Sequence, residues 1–110
     1  MVDEQNLETI MGLIINGGNA KSDCMEAIQA AKKGNFEEAT QKLKDADASL
    51  LEAHKSQTGM LTKEASGDAV TVSLLMVHGQ DHMMNAITFR DLAAEVVDVY
   101  KTIAGVPVEE

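Results

Sequence analysis

Apolar residues recur three and four positions apart through most of this chain, which is the spacing of one face of an α-helix. The first such stretch predicts a helix from Glu4 to Lys33, and the second predicts a helix from Phe36 to about Ala65. A third stretch predicts a helix from about Ala69 to Ile103. The only proline, Pro107, lies near the C-terminus, so no proline interrupts these stretches. The pattern therefore predicts an all-α protein with a single domain over residues 1–110.

Glycines mark the places where these helices are expected to end or bend. Gly34 is expected to end the first helix, and Asn35 with Glu38 predicts an N-cap and a capping-box-like start for the second. Ser66-Gly67-Asp68 predicts the next turn, with the serine and the aspartate supplying capping side chains. Asn16-Gly17-Gly18-Asn19 lies inside the first helix. Either that helix bends there, or another backbone comes very close to it.

The third helix differs from the others because it carries two apolar seams, each a line of residues spaced three and four apart. The first seam consists of Leu75, His78, His82, Phe89, Ala93, Val96 and Tyr100. The second seam consists of Leu74, Val77, Asp81, Met84 and Thr88. Two neighbouring helices in one subunit readily cover one seam but hardly both. The second seam therefore predicts self-association through the third helix.

Charge and cysteine content exclude several classes of function. The formal charge is −9, from 18 acidic and 9 basic residues, so the surface repels nucleic-acid phosphates and anionic lipid headgroups. Cys24 is the only cysteine, which excludes an intrachain disulfide and predicts a small buried hydrophobic residue. Residues 1–5 lack the features of a signal peptide, and no stretch is long and apolar enough to span a membrane. We expect a cytoplasmic protein.

The segment Val77–Met84 holds two of the three histidines in an otherwise apolar stretch. On a helix, His78, Asp81 and His82 would project from one patch, because residues three and four apart share a face. One interpretation is that both histidines are structural and hydrogen-bonded. A second is a metal site, since histidines four apart can bind zinc and the aspartate could add a third ligand. No fourth ligand is evident in the sequence.

The third interpretation of this segment is nucleophilic chemistry. A neutral imidazole nitrogen can attack a phosphoryl group and hold it as a phosphoramidate, and neutral imidazole is well populated at cellular pH. Gln80 or His82 could then donate hydrogen bonds to the phosphoryl oxygens. The sequence pattern alone leaves the structural, metal-binding and phosphoryl-transfer interpretations open.

Asp81 occupies a position of the second seam where a helical bundle would place leucine or isoleucine. If subunits meet along this seam about a symmetry axis, copies of Asp81 converge and repel one another. Such a site must take up protons or bind a cation, and a hard divalent ion such as Mg²⁺ suits carboxylate ligands. The alternative is that Asp81 faces solvent near the subunit boundary.

Two further polar residues lie on the apolar side of the second helix. They are His54 and Gln57, in the second half of that helix. An isolated histidine in such a position is more often a hydrogen-bonded core residue than a ligand. We keep both residues as second-tier candidates for a functional site.

Several segments of the chain resemble the IIA component of the lactose, cellobiose and chitobiose branch of the bacterial phosphoenolpyruvate sugar phosphotransferase system. The resemblance runs through Met11–Ile15, Gly34–Ala39 and Glu52–Thr58 to Tyr100. Its most specific part is Leu74–Met84, which is similar nearly residue for residue to the phosphorylation-site segment of that family.

The resemblance implies antiparallel three-helix subunits assembled into a homotrimer with a nine-helix, coiled-coil-like core. It further implies that His78 is phosphorylated and that Asp81 binds a divalent cation, such as Mg²⁺, on the trimer axis. His78 would accept phosphoryl from the carrier protein HPr and pass it to a cysteine of the cognate IIB component. That component phosphorylates a β-glucoside or disaccharide entering through the IIC permease, so membrane contact would be indirect. Cys24 does not correspond to that cysteine.

The chain departs from the family pattern at three places. Asn16–Lys21 lacks the usual arginine, so any role of that arginine is in doubt or passes to Lys21. Gly79 stands where many members have alanine, and Phe89-Arg90 replaces an aliphatic pair or an aliphatic residue with a lysine, which predicts an effect on packing. The hypothesis from another class is a metal-bridged helical oligomerisation or binding protein with His78, Asp81 and His82 as ligands.

Overall fold

The computed structural model describes residues 4–108, which contain three α-helices and no β-strand. Helix α1 spans Glu4–Lys32, α2 spans Phe36–Ala65 and α3 spans Leu74–Ala104. The prediction of an all-α chain with three helices is confirmed. In this part of the chain, none of the helices is long and apolar enough to cross a membrane. Residues 1–3, which belong to the segment expected to lack a signal peptide, lie outside the described residues.

The helices form an elongated bundle that measures 54 × 21 × 17 Å. One core cluster joins Ile10 of α1 to Met60 of α2 and Met76 of α3, whereas another joins Ala27 of α1 to Ala39 of α2 and Val97 of α3. Residue numbers therefore rise along α1 and α3 and fall along α2. Helices α1 and α3 run in one direction and α2 runs antiparallel to both.

The core follows a heptad-like pattern, with steps mainly of three and four residues on α1 and α3 and steps of seven residues on α2. The buried positions on α1 are Ile10, Leu13, Gly17, Ala20, Cys24, Ala27, Ala30 and Ala31. Those on α2 are Ala39, Ala46, Ala53 and Met60. Those on α3, which we call the inner face, are Met76, Gly79, Met83, Ala86, Ala93 and Val97. Because so many of these residues are glycine or alanine, the helix backbones can approach closely. Helix α1 packs extensively on both other helices, which contact each other less.

The connection between α1 and α2 differs from the predicted capping box. Asn35 precedes α2, but its side chain makes no capping hydrogen bond. Its backbone N–H instead donates to the carbonyl of Ala30 at 2.9 Å and closes the end of α1. Its ψ of 69° also differs from the extended geometry of a typical N-cap. Gly34, with a φ of +81°, supplies the left-handed turn that ends α1 after Lys32.

Helix α3 begins at Leu74, five residues later than predicted. Ser73 has an extended backbone, and its Oγ accepts a hydrogen bond from the N–H of Met76 at 3.1 Å. This N-cap sets the first turn of the helix. Asp68, expected to cap α3, instead lies 4.0 Å from the ammonium of Lys63 near the end of α2. The segment before Ser73 is not helical, although Val70 still packs against the core.

The glycine pair in α1 marks a close approach between helices. Helix α1 runs through both glycines without a break. A Cβ atom on Gly17 would lie 3.2 Å from the carbonyl carbon and oxygen of His82, so a side chain there would require the two helix backbones to move apart by a few tenths of an ångström. Gly18 has open space around it. Of the two predicted explanations, the close backbone approach is the one found, and it occurs at Gly17.

The two predicted seams of α3 have different outcomes. The residues of the first seam lie mostly beside the face that packs on α1: Ala93 is buried, but His78 is exposed. The inner face, which makes that contact, was not predicted. All five residues of the second seam are exposed in the single chain. Exposed apolar residues continue this side of the helix toward its C-terminal end. We call the whole set the outer face of α3: Leu74, Val77, Asp81, Met84, Thr88, Leu92, Val99 and Ile103.

Candidate functional site

Two imidazole rings lie together on one flank of α3. The ring centroids of His78 and His82 are 4.4 Å apart, and the ring planes meet at 76° in an edge-to-face arrangement. His78 is exposed and His82 is half-buried, with its backbone against Gly17. The four-residue spacing on a regular helix explains why the rings meet. The pair therefore presents the accessible imidazole of His78, which is in contact with the half-buried imidazole of His82.

The ring of His82 has one nitrogen in the interior of the protein. Its Nδ1 is buried, and within residues 4–108 it is the sole buried side-chain nitrogen or oxygen for which no hydrogen-bond partner is found. Exchange of a ring proton with solvent or with a ligand must therefore use the other nitrogen, Nε2. Burial of Nδ1 thus leaves His82 with one nitrogen, Nε2, for hydrogen bonding.

Gln80 lies on the opposite flank of α3 from His78. Residues two apart on a helix are about 200° apart around its axis. The amide oxygen of Gln80 accepts a hydrogen bond from Nε2 of Gln57 on α2 at 2.7 Å. The structure thus places the predicted residues Gln57 and Gln80 together, and it does not bring Gln80 to the imidazole of His78 within one chain.

Asp81 is exposed on the outer face of α3. One carboxylate oxygen accepts a hydrogen bond from Nδ2 of Asn85 at 3.0 Å, one helical turn further on. The other carboxylate oxygen is not used in that bond. Asn85 was not among the residues predicted from sequence, although its four-residue spacing from Asp81 is the signal that could have identified it.

His54 was expected to be a hydrogen-bonded core residue, and this expectation is wrong. The residue is exposed beside the groove between α2 and α3, which is lined by Leu50, Ile87 and Arg90, among others. It lies outside the pair formed by His78 and His82. Its position on the apolar side of α2 faces this groove rather than the core, because α2 and α3 pack less closely on each other than on α1.

An ion pair that sequence reasoning missed spans the same groove. Nε of Arg90 donates to Oδ1 of Asp47 at 2.6 Å, and its Nη2 donates to Oδ2 at 2.9 Å. This two-bond arrangement raises the pKa of the Arg90 guanidinium and fixes the position of α2 against α3. Arg90 lies four residues after Ala86 and three before Ala93, in the spacing of the inner face. A charged residue at such a position needs a partner, and this was the sequence signal for an ion pair.

The single chain has few side chains grouped as ligands for a metal ion that prefers nitrogen or sulfur. Among the described residues, no group of three or more histidine, cysteine, aspartate or glutamate side chains is arranged to hold a metal. His78 and His82 are in edge-to-face ring contact. The hypothesis of a metal-bridged binding protein based on His78, Asp81 and His82 is therefore not favoured.

The fold and the site define a class: a three-helix subunit whose third helix presents paired histidines on one flank and an uncovered apolar face. The family model described as "PTS system, Lactose/Cellobiose specific IIA subunit" matches residues 8–101. This chain belongs to that family, the IIA components of the cellobiose, lactose and chitobiose class of the phosphotransferase system. Proteins of this family take part in phosphoryl transfer during sugar uptake.

Individual relatives support the assignment at the level of sequence and structure. The lichenan-specific phosphotransferase enzyme IIA component of Bacillus subtilis is 47% identical over 93% of each chain. The crystal structure of the cellobiose-specific enzyme IIA from Bacillus anthracis is similar with a TM-score of 0.91 and 42% identity, covering 96% of this chain and 95% of that one.

A third relative was solved together with another protein. It is the chitobiose IIA of Escherichia coli in its complex with HPr, with a TM-score of 0.80 and 34% identity. The match covers 93% of this chain and 99% of that one. The family, the fold and the membership in the phosphotransferase system all agree with the resemblance found in the sequence.

Proposed function

We propose that this protein is a cytoplasmic phosphoryl carrier that is phosphorylated on His78. The observation that supports it most is the exposed imidazole of His78, in contact with His82, within the segment that the family model covers. A neutral ring nitrogen of His78 would attack the phosphorus of phospho-HPr. The bond between phosphorus and the HPr histidine would break as the new phosphorus–nitrogen bond forms.

The second transfer would regenerate His78. A cysteine thiolate of the cognate IIB component would attack the phosphorus, and the imidazole of His78 would leave. The IIB component would then pass the phosphoryl group to a β-glucoside or disaccharide entering through the IIC permease. HPr as the donor is supported by the complex of the chitobiose IIA relative with HPr. The spread of relatives over lichenan, cellobiose and chitobiose leaves the sugar of this pathway undefined.

His82 would hold the transferred group in place. The buried Nδ1 of this ring has no hydrogen-bond partner, so a proton placed there would be a buried donor without an acceptor. A neutral ring with its proton on Nε2 avoids that arrangement. Its Nε2–H could then donate to a phosphoryl oxygen on His78, as a charge-assisted hydrogen bond.

The outer face of α3 supports assembly into a homotrimer. Leu74 is 86% exposed and Ile103 is 75% exposed in the single chain, although both are large and apolar. If three copies of α3 pack in parallel about an axis along the outer face, the flank with His78 in one subunit meets the flank with Gln80 in the next. Gln80 would then stabilise the phosphoryl group across the subunit boundary, because within one chain it points the other way.

In such a trimer, three copies of Asp81 would lie around the axis. Their carboxylates would repel one another in the interior, so a divalent cation, such as Mg²⁺, would stabilise the assembly. The residues fit this ion: the carboxylate is an oxygen ligand, and Asn85 holds one of its oxygens and leaves the other available. The ion would neutralise the converging carboxylates. The Asp81 side chains would fix where it binds.

The test is intact-mass spectrometry at neutral pH after incubation with phosphoenolpyruvate, enzyme I and HPr. Wild type should gain one acid-labile phosphoryl group, and His78→Ala should gain none. His54→Ala is the matched control, because it removes an exposed histidine that lies outside the paired site, and it should be phosphorylated like wild type. Phosphorylation of His78→Ala at the wild-type level would refute the assignment of the site.

A further inference from the structure

Gly18 lies in the interior of α1, and no contact among the described residues requires glycine there. The helix runs through this residue without a break, and a Cβ atom on it would have no other side chain or helix within 4 Å. Glycine in a helix interior is less stable than alanine, because it loses more backbone freedom on folding. A residue that weakens its own helix without a gain in packing is expected mainly where function needs it.

Gly18 lies on the side of α1 that is turned away from α2. A Cβ atom on Gly12 would lie 3.9 Å from Oγ of Ser56 on α2, whereas Gly17 lies against α3. At about 100° per residue, Gly17 is about 140° around the axis of α1 from Gly12, and Gly18 is about 100° further in the same direction. Gly18 therefore lies beyond the contact with α3, on the far side of that contact from α2.

The paired histidines border the same groove from α3. His78 is on the opposite flank of α3 from Gln80, whose amide is hydrogen-bonded to α2. His82 follows one turn later, and its backbone lies against Gly17. The groove between α1 and α3 therefore has Gly18 on one side and the two imidazoles on the other. Because the two helices run in the same direction, Gly18 lies about one helical turn along the groove from His78.

Two methionines lie on the same face of α1 as Gly18. Met11 is seven residues before it and Met25 is seven residues after it, which is about two turns in each direction. Their exposed fractions are 41% and 48%, although both are large and apolar. Methionine side chains adapt readily to the shape of a binding partner. Gly18 thus forms an open gap in an exposed apolar ridge, and we call this gap with the two methionines the α1 notch.

We propose that the α1 notch receives a side chain of the phosphoryl donor protein when that protein docks at His78. This inference rests on the proposed function, in which the donor is phospho-HPr. Transfer requires the histidine of the donor to reach the imidazole of His78, so the surface of the donor must cover the groove within one turn of Gly18. A neighbouring copy of this chain would instead pack on the outer face of α3. The glycine therefore keeps open a space that the donor occupies.

The test fills this space without unfolding the protein. Gly18→Leu should be at least as stable as wild type, because it replaces a glycine in a helix interior and meets no neighbour. The KM for phospho-HPr should rise about tenfold, as expected when an added side chain overpacks a contact. The maximal rate should stay near that of wild type, because the change weakens docking and leaves His78 in place. Gly18→Ala should raise the KM less.

Gly59→Leu is the matched control. Gly59 is also inside a helix, and a Cβ atom on it would have open space around it. It lines the groove between α1 and α2 beside Lys55 and Lys63, away from the paired histidines. This variant should have the KM and the maximal rate of wild type. An equal rise of the KM in Gly18→Leu and Gly59→Leu would overturn the inference.

Direct binding gives a readout that does not depend on transfer. In isotope-labelled wild type, the backbone amide NMR signal of Gly18 should shift when unphosphorylated HPr is added, and that of Gly59 should not. An unshifted Gly18 signal, together with a wild-type KM in Gly18→Leu, would refute the role of the α1 notch alone. A wild-type protein that is never phosphorylated would refute the proposed function itself.

Ultracentrifugation separates the donor from a second copy of this chain as the occupant. Gly18→Leu should have the same assembly state as wild type at micromolar concentration. A change of the assembly state in this variant, with the KM for phospho-HPr unchanged, would assign the α1 notch to a contact between subunits and overturn the inference.

Discussion

The inner and outer faces of α3 belong to the same helix but use different residues. The inner face consists of two methionines, one glycine, two alanines and Val97, and each of these residues is buried against α1 or α2. The outer face has the larger aliphatic residues Leu74, Val77, Leu92 and Val99, and these are more than half exposed. Burial in the single chain therefore does not follow side-chain size.

The contrast shows that close approach, rather than apolar volume, decides which face packs within the chain. Gly79 on the inner face has its missing Cβ only 3.2 Å from Cγ2 of Ile10, and Gly17 plays the corresponding part on α1. The larger outer residues leave α3 with an apolar surface that a single chain cannot cover. His78 and His82 lie on the flank between the two faces. The proposed site is thus anchored by one face and exposed at the edge of the other.

The largest expected effect comes from overpacking the inner contact at Gly17. We expect Gly17→Leu to lower the free energy of unfolding by about 3 kcal/mol, because α3 would have to move away from α1. The backbone that must move belongs to His82, so transfer to His78 should slow as well. Urea denaturation followed by circular dichroism measures the stability change.

Gly18→Leu is the matched control for this variant. It places the same side chain at the next position, where no atom lies within 4 Å of the added Cβ. Removing a glycine from a helix interior should raise stability by up to about 1 kcal/mol. Equal destabilisation by the two variants would mean that Gly17 is not a special contact between α1 and α3.

A smaller effect is expected on the outer face, from Asp81→Leu. If three carboxylates converge there, replacing them by leucine should stabilise the trimer by about 2 kcal/mol, since apolar replacement of converging charges removes their repulsion. The thermal unfolding of the variant should no longer respond to EDTA, whereas that of wild type should. Ultracentrifugation at micromolar concentration reports the assembly state.

Asp91→Leu is the control for this change, because Asp91 lies on the same helix beside the groove with His54. It should leave the response to EDTA as in wild type. A monomeric Asp81→Leu protein would argue against the axial position of this residue. The outer face would then need another partner to cover its exposed apolar side chains.

The difference between the two faces also explains which features could be predicted from sequence. The three helices and the bounds of α2 follow from apolar spacing and from the absence of proline, and both are confirmed. The inner face was not predicted, because glycine and alanine add little to an apolar pattern, although they permit the closest contacts. The start of α3 was wrong because apolar spacing continues before Leu74, whereas the hydroxyl of Ser73 sets the actual start.

The candidate site likewise has contacts that could be predicted from sequence and contacts that could not. The contact between His78 and His82 follows from a four-residue spacing within one helix, so the sequence was sufficient. The bond from Gln57 to Gln80 and the bond from Arg90 to Asp47 join residues on different helices. Such contacts depend on the register of α2 against α3, which the periodicity of each helix alone does not set.

The smallest expected effect concerns Cys24, which is fully buried on the side of α1 that faces the core. Burial raises the pKa of its thiol from 9.0 to about 11. Below pH 9 the thiol is protonated in both the folded and the unfolded chain, and its contribution to stability is complete. As pH rises from 9 to 11, the unfolded thiol loses its proton first, so stability should fall.

The pH dependence of urea denaturation measures this contribution, with Cys24→Ala as the control. The variant should lose less stability than wild type between pH 9 and 11, and the difference isolates the thiol because lysine titration is common to both proteins. The native thiol should also react slowly with a thiol reagent at pH 8, and rapidly in urea. If both proteins lost stability equally, Cys24 would ionise as freely in the folded chain as in the unfolded one. The core side of α1 would then be as open to solvent as the outer face of α3.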